Sequence, residues 1–170
     1  MQDTVYARQM FERALEIDPG FGRAWAGLAY TYGLEQLYFN ASNVNRDEAL
    51  RTSRKALELA PEWSESHVSA GIAHCMVQAY DRAEAAFDRA LELDPGNYDA
   101  WYFYGRTKVH EGELERALEL FEHAAGVRPE DYESVLLLPQ LYHSLGRHEE
   151  ELDAARRGIE KRECRVHHRD

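Results

Sequence analysis

The sequence predicts an all-α fold, a solenoid of paired helices, and three observations carry that expectation. The first is a repeated segment: from Ala83 the chain reads A-E-A-A-F-D-R-A-L-E-L-D-P, and from Ala117 it reads A-L-E-L-F-E-H-A-A-G-V-R-P. Each copy has Ala, an aromatic four residues on, Ala three further and Pro five further. The second is the period, since Pro95 and Pro129 stand 34 residues apart and Pro61 stands another 34 before Pro95. A fixed period of this length marks units that cannot bury their own apolar face and must stack on one another. The third is composition: Ala, Leu, Glu and Arg are abundant, and all five prolines fall at or near repeat positions.

Between Pro95 and Pro129 sit Trp101, Tyr104 and Gly105. A 34-residue period with W-x2-L-G-x2-Y, then A-x3-F and Pro, is the tetratricopeptide repeat (TPR) signature, and the chain resembles that family. Laid on the repeat, residues 4–19 form a second half-repeat, with Ala7, Phe11, Ala14 and Pro19. A repeat over 20–61 opens with Trp25, Leu28, Ala29 and Tyr32 and closes with Ala49, Ser53, Ala56 and Pro61, with an insertion near 34–47. Repeats follow over 62–95, opening with His67, Ala70, Gly71 and His74, and over 96–129, opening with Trp101, Tyr104, Gly105 and Lys108. A degenerate terminal repeat covers 130–163, with Val135, Leu138, Pro139 and Tyr142 and then Glu151, Ala155 and Gly158, and 164–170 is a tail. The resemblance implies one right-handed α-solenoid of TPR helical hairpins, about nine helices.

Each element has its own reason. The first helix, about Thr4 to Ile17, places Ala7, Phe11 and Ala14 on one face by i, i+4, i+7 spacing. Asp18-Pro19-Gly20 ends it, because the residue before proline is pushed out of helical geometry; Asp94-Pro95-Gly96 repeats the stop. The second helix carries Trp25, Leu28 and Tyr32 and is expected to run on to about Phe39. Eight extra residues follow from L-E-Q-L-Y-F-N-A-S-N-V-N-R-D; the Asn- and Ser-rich stretch Asn40 to Asn45 reads as a loop with an N-cap for the next helix. That connection is either a binding lip or a cover for the next repeat. Three hairpins follow, turning at Gln78-Ala79, Glu111-Gly112 and Leu145-Gly146, and Pro139 is expected to kink its helix by removing a backbone donor. The last helix is expected over about His148 to Arg162.

Bulk properties narrow the function. Twenty Lys and Arg against 31 Asp and Glu give a net charge of −11, which repels phosphate backbones and argues against nucleic-acid binding. Two cysteines, Cys75 and Cys164, make no disulfide framework and favour a reducing, cytoplasmic setting. No apolar run approaches the roughly 20 residues that span a bilayer, so membrane contact by this segment is not expected. His67 and His74 share a helix face with Cys75 alongside, but their seven-residue separation, about 10 Å, exceeds the i, i+4 spacing of zinc ligands on a helix. They read as histidines packed between helices. Cys164, His167 and His168 offer donors on a charged tail; no metal or cofactor is expected. His167-His168-Arg169-Asp170 contains H-R-D without the Asn or nucleotide loop that a kinase needs. No enzyme activity is expected.

Function is then expected from surface. In TPR proteins the first helix of each repeat lines a concave groove, and partner peptides touch its second, fifth, ninth, twelfth and thirteenth residues. Carried over, the resemblance implies a groove of Arg23, Tyr30, Val68, Ile72, Met76, Tyr102, Arg106, His110, Leu136, Gln140 and His143. Relatives that hold heat-shock carboxyl tails use Lys and Asn at the fifth and ninth positions. Here the fifth positions are Ala26, Val68, Tyr102 and Leu136, so that clamp is missing. What remains is an apolar strip, Tyr30, Val68, Ile72, Met76, Tyr102 and Leu136, with Arg106 as its central cation. An exposed strip of this kind marks a protein-binding site, unless a neighbouring segment of the same polypeptide fills it. The expected role is a protein-interaction module taking an apolar protein or peptide with an acidic group. Spacer, self-association arm and small-molecule sensor stay open. The A-W-A-G-L-A-Y opening and the L-L-L-P-Q-L-Y-H-S-L-G-R close are similar to TPR regions of bacterial signalling proteins that carry an effector elsewhere. The first helix begins inside a repeat, and its face with Ala7, Met10, Phe11 and Ala14 is expected to recruit a second copy as a homodimer.

Overall fold

The computed structural model describes residues 2–39, 43–129 and 133–167, with side chains over 4–36, 45–129 and 134–160. Among the described residues there are nine helices and no strand: α1 (Gln2–Ile17), α2 (Gly22–Phe39), α3 (Asn43–Leu59), α4 (Ser64–Met76), α5 (Tyr80–Leu93), α6 (Tyr98–Glu111), α7 (Leu114–Val127), α8 (Glu133–Ser144) and α9 (His148–His167). They group into two compact units, Met1–Ala100 and Trp101–Asp170, the boundary falling inside α6. No helix among the described residues is long and apolar enough to cross a membrane.

The stops and turns recur with the same chemistry. After α1 the Asp18 carboxylate accepts from the Gly20 N–H at 2.9 Å, and after α5 Asp94 accepts from Gly96 at 2.9 Å. The aspartate thereby folds the backbone two residues on into an Asx turn that a following helix can leave. Trp25 Nε1 donates to the Pro19 carbonyl at 2.9 Å, and His67 Nε2 lies 2.7 Å from the Pro61 carbonyl. The histidine at the repeat's tryptophan position thus keeps the bond to the proline six residues back. Within hairpins, the three turns need a left-handed residue: Gln78 has φ 59°, Gly112 82° and Gly146 71°. Glycine takes that conformation freely, and glutamine does not.

In the first unit, Leu15, Ala24 and Leu28 form a buried cluster with Phe11, Ala14, Trp25 and Tyr32 against it. Where it is described, the insertion is helical, ending α2 at Phe39 and starting α3 at Asn43. α2 and α3 have 18 and 17 residues against 13 and 14 in α4 and α5. The expected loop over Asn40 to Asn45 is therefore corrected at its end, since α3 starts at Asn43; Asn40 to Ser42, and the side chains of the aromatic tip, lie outside the described residues. Buried Glu35 holds the lengthened pair, accepting from Arg8 Nη1 at 3.0 Å and Asn45 Nδ2 at 3.1 Å. Further on, Asn97 caps α6 by accepting from the Ala100 N–H at 3.0 Å and donates to Ser64 Oγ at 2.9 Å.

Close approach inside hairpins depends on glycine. A Cβ on Gly71 would lie 2.6 Å from the Phe87 ring, and one on Gly105 would lie 3.1 Å from the Phe121 ring. Phe87 and Phe121 are 0% and 1% exposed. At the corresponding places the other hairpins carry Ala29 with Ser53 and Pro139 with Ala155: where the second helix has no phenylalanine, the first helix has a Cβ. In the second unit, Lys108 takes the place of the repeat's tyrosine and is buried, its Nζ 3.1 Å from both Glu111 Oε2 and Glu113 Oε1. α8 runs through Pro139 without ending. Trp101 is half-buried, stacked on His123 with centroids 4.5 Å apart.

Candidate functional site

The first unit leaves little of the expected strip open. Val68 is 1% and Ile72 6% exposed, which corrects their reading as groove surface. The cause is the spacing of α2 and α4. A Cβ on Gly33 would sit 2.5 Å from Ile72 Cγ2, so Ile72 fills the place that a side chain at 33 would occupy. The residue is consumed in joining one first helix to the next. Tyr30 and Met76 are half-buried, and Tyr30 Oη donates to Asp99 Oδ1 at 3.2 Å. Arg23 is exposed, its guanidinium 4.9 Å above the Trp63 ring.

The second unit has a defined cleft. A solvent-open cleft of about 200 Å³ lies between α6, α7 and α8, with Leu137, Leu141, Val109 and Phe121 giving apolar walls and Arg106, His110 and Gln140 the polar ones. Arg106 is half-buried and poised by Tyr102: Nη1 donates to the Tyr102 hydroxyl at 3.3 Å, and the guanidinium lies 5.9 Å over the ring. Tyr102 itself is 5% exposed, edge-on to Phe103 at 5.2 Å and to Phe121 at 5.7 Å. It too is corrected from groove contact to core, and acts on the cleft through Arg106.

Two further expected residues lie elsewhere. Leu136 is 52% exposed but is not part of the cleft wall; it faces α9, where a Cβ on Gly158 would lie 3.8 Å from its Cδ2. His143 is likewise outside the cleft, its Nδ1 3.1 Å from Glu151 Oε2. The α8 residues that do line the cleft are Leu137, Gln140, Leu141 and Ser144. Gln140 and Ser144 are the ninth and thirteenth positions that the family uses, while Leu137 and Leu141 stand one residue on from the fifth and ninth; the i, i+3, i+4, i+7 spacing of the four was the available signal. Leu114 and Phe121 come from the second helix of a repeat, which the family's contact positions do not include. The tail donors Cys164, His167 and His168 lie outside the described side chains.

Paired antiparallel helices with a glycine-aromatic contact inside the hairpin and an Asp-Pro-Gly exit define a helical-hairpin repeat protein. Models of the tetratricopeptide repeat match residues 77–124 and 105–163, together about half of the chain. The chain belongs to the tetratricopeptide repeat family, and is a protein-interaction scaffold of that class. It is similar to anaphase-promoting complex subunit 3 of Schizosaccharomyces pombe, 22% identical over 153 residues that cover 90% of this chain and 22% of that protein. It is also similar to superkiller protein 3 of the same organism, 25% identical over 149 residues, 88% of this chain and 11% of that one. The chain thus spans about a fifth or less of the length of these curated relatives. Among solved structures it resembles TTC0263, a thermophilic TPR protein in Thermus thermophilus, with TM-score 0.75, 21% identity, and coverage of 93% of this chain and 82% of that one. MamA matches with TM-score 0.72 and 22% identity over 97% of this chain and 92% of its own. YrrB, described as a TPR protein with an unusual peptide-binding site, matches with TM-score 0.62 and 21% identity over 94% and 78%. These likenesses establish the fold.

Proposed function

We propose that the chain is a non-catalytic peptide-binding module whose second unit takes an apolar peptide segment carrying one carboxylate. The observation behind this reading is the cleft of α6, α7 and α8, where Leu137 and Leu141 face Val109 and Arg106 supplies a cation held in place by Tyr102. A guanidinium fixed over a ring loses less freedom on pairing with a carboxylate than a free one does. The volume, about 200 Å³, is below the roughly 300–1,000 Å³ of small-molecule sites, which favours one or two peptide side chains over a sensor's ligand. YrrB's peptide-binding site on the same fold is consistent with it. The test is fluorescence anisotropy with labelled apolar peptides, each with and without an acidic residue. Arg106→Ala should weaken the acidic peptides by about tenfold to a hundredfold, the size of one charge-assisted pair at about 1.5–3 kcal/mol, and leave neutral ones unchanged. Leu141→Asp should weaken both. Equal binding of acidic and neutral peptides would overturn the role of Arg106, and no binding at all would favour a spacer.

In this reading the module is a regulatory part of a larger signalling protein of the cytoplasm, with no nucleic-acid or membrane contact of its own. The net charge of −11 supports the exclusion of nucleic acid. Cell fractionation of the natural product, with fusion partners identified by sequencing the locus, checks this; a membrane-bound pool would refute it.

Self-association is a second reading, favoured by one observation: α1 exposes Tyr6 at 63%, Met10 at 43% and Ile17 at 81%. Burying a large apolar side chain contributes about 1.5–3 kcal/mol, so a second copy docked on this face would gain from all three. Sedimentation velocity over a wide concentration range should show a dimer that Met10→Asp with Ile17→Glu abolishes. A monomer throughout would end this reading without touching the cleft.

A further inference from the structure

At the junction of α8 and α9, two imidazoles converge on one carboxylate. His143 Nδ1 lies 3.2 Å from Glu151 Oε1 and 3.1 Å from Oε2, and His148 Nδ1 lies 3.1 Å from the same Oε2. The three donor atoms fall within 4.8 Å of one another. We propose that His143, His148 and Glu151 form a binding site for a divalent transition metal of the zinc class, clasping α8 to α9. The donors are two imidazole nitrogens and a carboxylate, the set that three-ligand zinc sites use with water in the fourth position. Metal-to-donor distances of 2.0–2.1 Å in a tetrahedron place neighbouring donors about 3.3 Å apart. The two observed 3.1 Å nitrogen–oxygen separations lie within tenths of an ångström of this, and the two rings, with centroids 5.8 Å apart and ligand atoms within 4.8 Å, would close on the ion to complete the third edge.

The backbone explains why the donors meet. Leu145 and Gly146 reverse the chain, Gly146 at φ 71°, which brings the last turn of α8 beside the first turn of α9. His148 and Glu151 are then i, i+3 neighbours on α9, and His143 reaches them from across the turn. The cation between them in sequence is turned away: the Arg147 guanidinium lies 5.0 Å over the Tyr142 ring and pairs with Glu150 at 2.9 Å. The first turn of α9 adds Glu149 and Glu150 to the local field. The side chains of His143 and His148 are 67% and 70% exposed, so an ion can enter and the fourth position faces solvent.

The test uses the full chain and the metal alone. Co2+ should bind at one equivalent with the strong visible ligand-field bands of a tetrahedral site, and Zn2+ should displace it. Zn2+ should also raise the melting temperature of the wild type, because an ion that binds only the folded state stabilises it by mass action. His143→Ala and His148→Ala should each weaken binding by more than about tenfold, a loss that even residues orienting a metal's ligands produce. Glu151→Gln should lose the tetrahedral bands. Should His143→Ala fail to fold, His148→Ala, at an exposed first-turn position, carries the same test. A variant with Cys164, His167 and His168 all replaced by alanine should bind as the wild type does. Binding lost in that tail variant, or unchanged in His143→Ala and His148→Ala, would overturn the site, as would the absence of any saturable binding.

Discussion

Replacing Gly71 with alanine adds a single methyl group where the fold has no room for one. The new Cβ would stand 2.6 Å from Cε1 and Cζ and 2.9 Å from Cδ1 of Phe87, against the roughly 3.5–4.0 Å at which carbon atoms rest in contact. The ring would have to withdraw by about 1 Å, and at 0% exposure it has only core to withdraw into. Overpacking of this kind costs about 1–3 kcal/mol, while alanine returns up to about 1 kcal/mol of helix propensity in α4. The expected net loss is up to about 2 kcal/mol. Gly126 is the control: it lies in α7, is exposed, and a Cβ there meets nothing within 4 Å. Gly126→Ala should therefore stabilise, by about 0.5 kcal/mol near a helix end. Urea denaturation followed by circular dichroism gives both values. Phe87→Leu in the Gly71→Ala background should recover part of the loss, since residues in contact couple in a double-mutant cycle. If Gly71→Ala is as stable as the wild type, or Phe87→Leu adds to the loss without coupling, the packing argument fails.

Other changes test the turns and the buried ionisable groups. Gln78→Gly removes a left-handed strain of about 1–2 kcal/mol at φ 59° and should raise the unfolding midpoint, whereas Gly112→Ala should lower it; a fall on Gln78→Gly would mean that the side chain stabilises the turn. Asp94→Ala loses the acceptor for the Gly96 N–H and should cost about 0.5–1.5 kcal/mol, read in the same assay; no change would mean that Pro95 alone makes the stop. Burial, with Arg82 and Arg54 nearby, holds the His74 pKa below its ordinary 6.5. Folding therefore favours neutral His74, and its contribution is complete above 6.5 and lost as the pH falls from there through the folded value. The melting temperature should drop with acid less steeply in His74→Gln than in the wild type; parallel curves would refute the assignment.

The amino-acid sequence determined the helices, their pairing and their ends. Those features depend on neighbours within a few residues, such as Asp18 and Asp94 folding back on Gly20 and Gly96, or glycine taking a positive φ at 112 and 146. It also carried the glycine-phenylalanine match at 71 and 87, because a 34-residue period repeats it at 105 and 121. Which side of each first helix stays open was decided only in three dimensions. Ile72 reads as groove surface by position, yet Gly33 lets α4 approach until Ile72 is core. Leu137 and Leu141 line the cleft where Leu136 does not, since a step of one residue turns a side chain about 100° round the helix. The eight-residue insertion was legible as extra length, but its use in lengthening α3 rests on Glu35 meeting Arg8 and Asn45, partners 27 and 10 residues away. His143 was placed in the groove by its repeat position and stands instead beside Glu151, because the side chain bonds across the α8–α9 turn and no local pattern records a partner on the next helix.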